Sequence, residues 1–309
     1  MLGSLRQLRR LERSHASLRQ FLSPVVLQAV GDADWEDVLA PRESDVTVLF
    51  CDLRGFSRES ERHADDLWNL LARVSRALGV ATRHILDENG VVGDFHGDAV
   101  MGFWGWPLEQ PDAVQRAAMT ALAIRSDFEA AAHRTAHPLA DFRIGIGIAS
   151  GRAVAGKIGT ADQVTVTVFG PVVNLAARLE SMTKAVHAPI LTDGKTAAII
   201  RESLSENVAR VRRVARVRPY GLEQALDVSE VLPPESEMPQ LSNDAIATFE
   251  RASAAMFGWQ RAVDWSEAFE LLNDVPADDR TKDFLTVYMA SLQRTPPANW
   301  DGAIALESK

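Results

Sequence analysis

The chain has 309 residues, 46% hydrophobic and 24% charged, a balance that supports a packed core without disulfide or metal staples. A net charge of -9 argues against nucleic acid as the main partner, and no run of about 18 apolar residues is available to span a membrane. The single cysteine, Cys51, excludes an intrachain disulfide and fits a reducing, cytoplasmic compartment.

The N-terminal segment carries Leu2, Leu5, Leu8, Leu11, Leu18 and Leu22 at mostly helical spacing, with five arginines between them. This pattern predicts an amphipathic helix, either packed on its own domain or paired with a second chain as a short parallel coiled coil. No long apolar stretch follows its basic residues, so it does not read as a secretory signal. Next, Val46, Val48 and Phe50 alternate with Thr47, Leu49 and Cys51, as in a buried strand. A helix is predicted from about Glu59 to Asp87. Two short strands are expected around the turn Asn89-Gly90, one near Val91-Val92 and one from Ala99 to Phe103, because Asn-Gly between apolar runs is a hairpin signal. Residues 112–135 are Ala-rich and helical. Strands are expected at 142–150, 153–159 and 164–170, a helix after Pro171, a strand at 189–193 and a helix near 194–204. Arg-rich strands then end at 228–232.

The order βαββαβ with extra strands predicts an α+β fold, a ferredoxin-like sandwich with helices on one face of a mainly antiparallel sheet. Residues 1–40 read as an N-terminal linker or signalling helix, 41–232 as the main domain and 233–242 as a polar, Pro-containing linker. Residues 243–309 read as a helical extension. Its helices, at about 243–257, 264–273 and 279–293, place Phe249, Met256, Trp265 and Leu272 on one packed face. They resemble tetratricopeptide units that lean on the main domain.

The residues suited to chemistry lie at strand ends. Asp52 closes a strand and opens into Leu-Arg-Gly-Phe-Ser, a Gly-containing turn before a helix. A carboxylate there takes a metal ion, and the free amides of the turn face phosphates. Asp98 stands in His-Gly-Asp-Ala-Val, just before the second hairpin strand. If the hairpin lies beside the first strand, the two carboxylates converge and repel unless a cation lies between them. Hard oxygen donors select Mg²⁺ or Mn²⁺, sharing its shell with phosphate oxygens. Taken alone, each aspartate reads as a turn or cap residue. Asn174 and Arg178, four apart on one helix, share a face and suit the stabilisation of a crowded anionic phosphorus. Taken alone, they read as a cap and a surface arginine.

Four ordered segments, FCDLRGFS, GDAVMGFWGWP, GIGIASGRAVAGKIG and VTVFGPVVNLAARLE, together resemble the class III adenylate/guanylate cyclase catalytic domain over about residues 46–232. The resemblance implies a homodimer with active sites at its interface and two Mg²⁺ or Mn²⁺ per active site. Asp52 and Asp98 match the metal aspartates, with the Leu53 carbonyl as an added ligand. Leu53, Arg54, Gly55, Phe56 and Ser57 match the phosphate-binding turn. Asn174 and Arg178 match the pair that orients the ribose and stabilises the transition state, supplied by the other protomer. Arg218 falls near the family's C-terminal phosphate-binding lysine. The implied reaction is attack of the ribose 3′-oxygen on the α-phosphorus of ATP or GTP, with loss of pyrophosphate.

The base-reading pair departs from the family pattern. Adenylate enzymes usually carry Lys, and guanylate enzymes Glu, where this chain has Asp94. Thr167 fits one adenylate subgroup. A carboxylate only accepts hydrogen bonds, so Asp94 suits guanine's two donors or adenine's single one. The sequence-based expectation is an adenylate cyclase in cyclic-nucleotide signalling. The alternatives are a guanylate cyclase, or a weakly active cyclase-like regulatory and dimerisation module. The Arg-rich N-terminus suggests an upstream sensor domain.

Overall fold

The computed structural model describes residues 22–31, 34–56, 65–134, 137–219 and 224–306. The leucine-spaced segment 2–18, Ser57 and the expected start of the helix after it therefore lie outside the described residues. Two short helices, α1 (Pro24–Val30) and α2 (Trp35–Leu39), lead into strand β1 (Arg42–Arg54). The chain continues through α3 (Leu67–Asp87), β2 (Val91–His96), β3 (Ala99–Trp104) and α4 (Ala113–Ala132). After β4 (Arg143–Gly159) and β5 (Val164–Phe169) come α5 (Pro171–Val186), β6 (Ile190–Asp193) and α6 (Gly194–Ser203). Strands β7 (Arg210–Arg218) and β8 (Leu226–Leu232) precede α7 (Asn243–Phe257), α8 (Trp265–Asn273), α9 (Arg280–Ser291) and β9 (Ile304–Ala305).

Among the described residues one sheet of nine strands runs β2-β3-β1-β4-β6-β8-β7-β9, and β5 pairs with β4. All pairings are antiparallel except β4 with β6 and β7 with β9. Alternation along β1 explains the layering. Val46 and Val48 enter a core with α5 and α7–α9, whereas Leu49, Cys51 and Leu53 enter a second core with α3, α4 and α6. Helices therefore cover both faces, not the one face expected from the element order. The α+β class stands.

Three local expectations change. The chain reverses between β2 and β3 at Gly97-Asp98, not at Asn89-Gly90. Asn89, at φ 56°, instead ends the turn from α3 into β2. The two strands expected at 142–150 and 153–159 are one strand, β4, because β1 pairs with it from Arg143 to Ala155 without interruption. The C-terminal tail adds β9 to the sheet beside β7.

Glycines on β4 decide how close α5 approaches. A Cβ on Gly147 would lie 2.1 Å from the Ala176 carbonyl oxygen and 2.2 Å from the Glu180 nitrogen. The helix backbone rests directly on the strand there, which only glycine permits. This contact sets the height of α5 over the end of β1.

Candidate active site

Asp52 pairs opposite Ala99 in the β1–β3 ladder, so Asp98 stands one residue beyond it at the hairpin turn. The Leu53 amide donates to the Asp98 carbonyl oxygen at 3.2 Å, fastening the turn to the end of β1. The two carboxylates reach each other electrostatically. Burial, then the charge of Asp98, pushes Asp52 up to about 6 against the pull of Arg54. Burial also raises Asp98, opposed by its own backbone hydrogen bond and by Arg54. A pair of carboxylates that resists full ionisation is what a divalent cation relieves, and an all-oxygen donor set fits Mg²⁺ or Mn²⁺. Among the described residues no group of three or more His, Cys, Asp or Glu is placed to hold a metal ion, so further donors would come from backbone carbonyls, water or a bound ligand.

These residues line a cleft of about 780 Å³, with Leu53, Arg54, Gly55 and Phe56 of the turn along one side. Among the described residues, five side chains of basic type edge the same cleft: Arg54, Arg143, Lys184, His187 and Arg280. Carboxylates at one point and cations around it suit a polyanion that arrives with a metal ion. The last cation comes from α9, in the helical extension.

Glu180 was not foreseen as a site residue. Its side chain is 14% exposed, and Arg54 Nη2 lies 2.7 Å from its Oε1, an ion pair without hydrogen-bond geometry. Burial pushes Glu180 up to about 7, outweighing Arg54, while Asp52 and Asp98 push the same way. The available signal was a carboxylate in the buried phase of an amphipathic helix, between Ala176 and Thr183. Arg143, Lys184, His187 and Arg280 carried no local signal, because each is a basic residue near an element's end.

Asn174 and Arg178 do not join this cleft. Both are exposed on α5, on the opposite side from Ala176, Leu179 and Thr183, which face the sheet. Asp94 lines a second cavity of about 340 Å³ between β2 and β5, with Val92, Thr165 and Val166. Its carboxylate accepts from the Phe95 amide at 2.7 Å and lies 3.4 Å from His96 Nε2. Thr167 is half-buried on β5, opposite Gly156. Arg218 ends β7, far from Asp52 across the sheet, and donates to the Asp301 carboxylate.

A profile of the adenylate and guanylate cyclase catalytic domain matches residues 38–216. The chain belongs to that family and contains a class III nucleotide cyclase domain. It is 30% identical over 190 residues to adenylate cyclase 1 of Rhizobium meliloti (strain 1021), a match that covers 61% of this chain and 27% of that protein. The fold is similar to that of a bacterial light-regulated adenylyl cyclase, with a TM-score of 0.62 at 21% identity over 76% of this chain and 67% of that one. A guanylyl cyclase crystal structure matches at 25% identity with a TM-score of 0.53, over 63% of this chain and 94% of that one. Among the described residues no helix is long and apolar enough to cross a membrane.

Proposed function

We propose that the chain is an adenylate cyclase that works as a homodimer with shared active sites, converting ATP to 3′,5′-cyclic AMP and pyrophosphate. One observation carries this reading. The aspartate pair of one chain sits in a cleft edged by cations, while Asn174 and Arg178 of the same chain point away from it. A second copy related by a two-fold axis supplies the missing pair to each cleft.

In this reading Asp52, Asp98 and the Leu53 carbonyl hold two divalent ions. Those ions supply Lewis acidity toward the 3′-hydroxyl and charge neutralisation along the triphosphate. The amides of the turn beyond Leu53, whose own amide is held by the Asp98 carbonyl, and the Arg54 guanidinium hold the β- and γ-phosphates. The partner's α5 brings Arg178 to the α-phosphate, where negative charge builds up, and Asn174 to the ribose. The 3′-oxygen forms its bond to the α-phosphorus as the bond to the bridging oxygen breaks. Pyrophosphate leaves with the electron pair, and the hydroxyl proton passes to water. Much of the rate comes from holding the hydroxyl in line.

Adenine is preferred because adenylate cyclase 1 of Rhizobium meliloti is similar in sequence, and because Thr167, which fits one adenylate subgroup, matches the second reader position. Asp94 favours the second reading, a guanylate cyclase, because its carboxylate can accept from both guanine donors. Purified protein assayed with Mn²⁺ and either ATP or GTP separates these readings. Cyclic AMP from ATP is expected. Preference for GTP would overturn the adenylate assignment, and no cyclic product from either would overturn the enzyme. Asp52→Ala chains mixed with Arg178→Ala chains should recover about half of the wild-type rate per heterodimer, since one of its two sites is intact.

A further inference from the structure

Arg54 is the last residue of the metal-site strand, yet among the described residues most of its contacts are made to α5. The guanidinium gets there by crossing the bare backbone of Gly145, the residue opposite Asp52 in the β1–β4 ladder. A Cβ at Gly145 would lie 2.1 Å from Arg54 Nη2 and 2.5 Å from Thr183 Oγ1. On the far side, Nη2 donates to the Glu180 carbonyl oxygen at 2.7 Å and to Thr183 Oγ1, and sits 2.7 Å from the Glu180 carboxylate. Thr183 in turn donates to the Glu180 carbonyl oxygen at 2.7 Å. Nη1 is turned the other way. Its carboxylate neighbour is Asp52 at 3.8 Å, too long for a hydrogen bond. One edge of the guanidinium is thus held by the helix, and the other faces the cleft.

A half-buried carboxylate on the sheet-facing side of a helix is costly unless it holds a cation in place. We infer that Glu180, together with Thr183, is a positioning residue that fixes the Arg54 guanidinium across Gly145 as a preset cationic wall for the triphosphate beside Asp52. The inference rests on the cyclase reading above and adds a residue to it. A guanidinium already in place gives up no rotamer freedom when the nucleotide enters. Its contact to the β- and γ-phosphates is the same before and during reaction, so its loss falls on KM rather than kcat. Helix α5 thereby serves two sites. Glu180 acts on the cleft of its own chain, and Asn174 and Arg178 act on the partner's.

Mixed full-length chains test this directly. In a heterodimer of Asp52→Ala and Arg178→Ala chains, the one intact site takes its aspartates and its Arg54 from the Arg178→Ala chain, and neither homodimer is active. Glu180→Gln, which keeps the side chain's shape, is added to that chain. The KM for ATP should rise about tenfold while kcat stays within about threefold. Thr183→Val on the same chain should raise KM in the same direction by less. An unmoved KM in an otherwise active mixture overturns the inference and leaves the cyclase reading intact. An equal KM rise with Glu180→Gln moved to the Asp52→Ala chain overturns it too, because the residue would then act through Asn174 and Arg178. A fall in kcat alone also overturns it, as the mark of a loosened fold. No activity in the parent mixture would instead sink the shared-site reading, and this inference with it.

Discussion

Asp52 and Glu180 share one physical predicament: both carboxyls are mostly buried, close to other negative charge, and served by one guanidinium. In the folded chain without metal, Asp52 rises to about 6 and Glu180 to about 7, above their ordinary values of 3.8 and 4.5. The folded state therefore keeps protons that the unfolded chain releases first. Stability contributed by these groups is full below about pH 4 and is lost as the pH rises through 6 and 7. In the proposed metal role, a divalent ion would reverse that loss by binding the ionised aspartates. Thermal melts of the metal-free protein with and without Mn²⁺ should show a rise in Tm of a few degrees at pH 7.5 and a smaller one at pH 5. Asp52→Asn removes one of the charges that a cation relieves, so the melt of that variant should respond little to Mn²⁺ at either pH. Equal Mn²⁺ shifts at both pH values in the wild type would contradict the metal assignment. Asp52 and Asp98 drew attention in the sequence because one stands near a strand end three residues before Gly55 and the other directly after Gly97. Glu180 was passed over because a single charged residue in a helix gives no hint of what lies beneath it. Only the missing side chain at Gly145 reveals that an arginine passes under it.

At the scale of the element, α5 is the part that two different demands shape. Its inner face rests on Gly147, with Val172, Ala176, Leu179 and Val186 buried, and its outer face holds Asn174 and Arg178 in the open. The two faces fail differently. Gly147→Ala puts a methyl where the helix backbone already is. No rotamer change relieves a Cβ clash, so α5 must lift, at a cost of about 2–4 kcal/mol of stability and a shift of Arg178 that also lowers kcat. Arg178→Ala removes an exposed side chain, should leave urea unfolding within about 0.5 kcal/mol of wild type, and should lower kcat by about a hundredfold or more. A variant at Arg178 that unfolds early, or a Gly147→Ala chain with wild-type stability, would contradict this division. Gly145 and Gly147 stand at alternate positions of the strand expected at 142–150, and a helix was expected after Pro171. Their contact was not, because it depends on a backbone approach that no spacing encodes. Asn89-Gly90 misled for a related reason. Asparagine in the left-handed region serves the end of a helix as well as a hairpin, and Ile85 and Leu86 before it belong to the helical period of α3. The tail strand β9, two residues long, is made by its neighbour β7 and has no pattern of its own.

At the scale of the whole molecule, the family match and the sheet end in different places. The match stops at Arg216, inside β7, while the sheet continues through β8 and β9. Helices α7–α9 share a core with α5, and Phe249, Leu272 and Leu285 are fully buried in it. An ion cluster ties them to the sheet. Arg212 on β7, 1% exposed, donates to both oxygens of Asp279 at 2.5 and 2.8 Å and to Glu230 at 2.8 Å, above the ring of Phe249. Asp279 also caps α9 by accepting from the Thr281 amide, and so sets where Arg280 meets the cleft. A buried cation deprived of one of its carboxylates is poorly compensated, so Asp279→Ala should cost about 3 kcal/mol in denaturant unfolding. A chain ending at Leu232 keeps every candidate site residue up to Arg218 but uncovers the apolar face of β7, and it should lose most of its stability. The sharper consequence concerns cooperativity. Trp259, Trp265 and Trp300 lie in the extension, and Trp104 and Trp106 in the sheet region beside β1. If the two parts are one core, tryptophan fluorescence and cyclase activity should be lost at the same denaturant concentration in a single transition. Two separated transitions, with activity surviving the first, would mean that the extension is an independent module resting on the cyclase domain. The shared core argues for the single transition, because helices that came away alone would expose the buried β7 residues Val214 and Val217 to water.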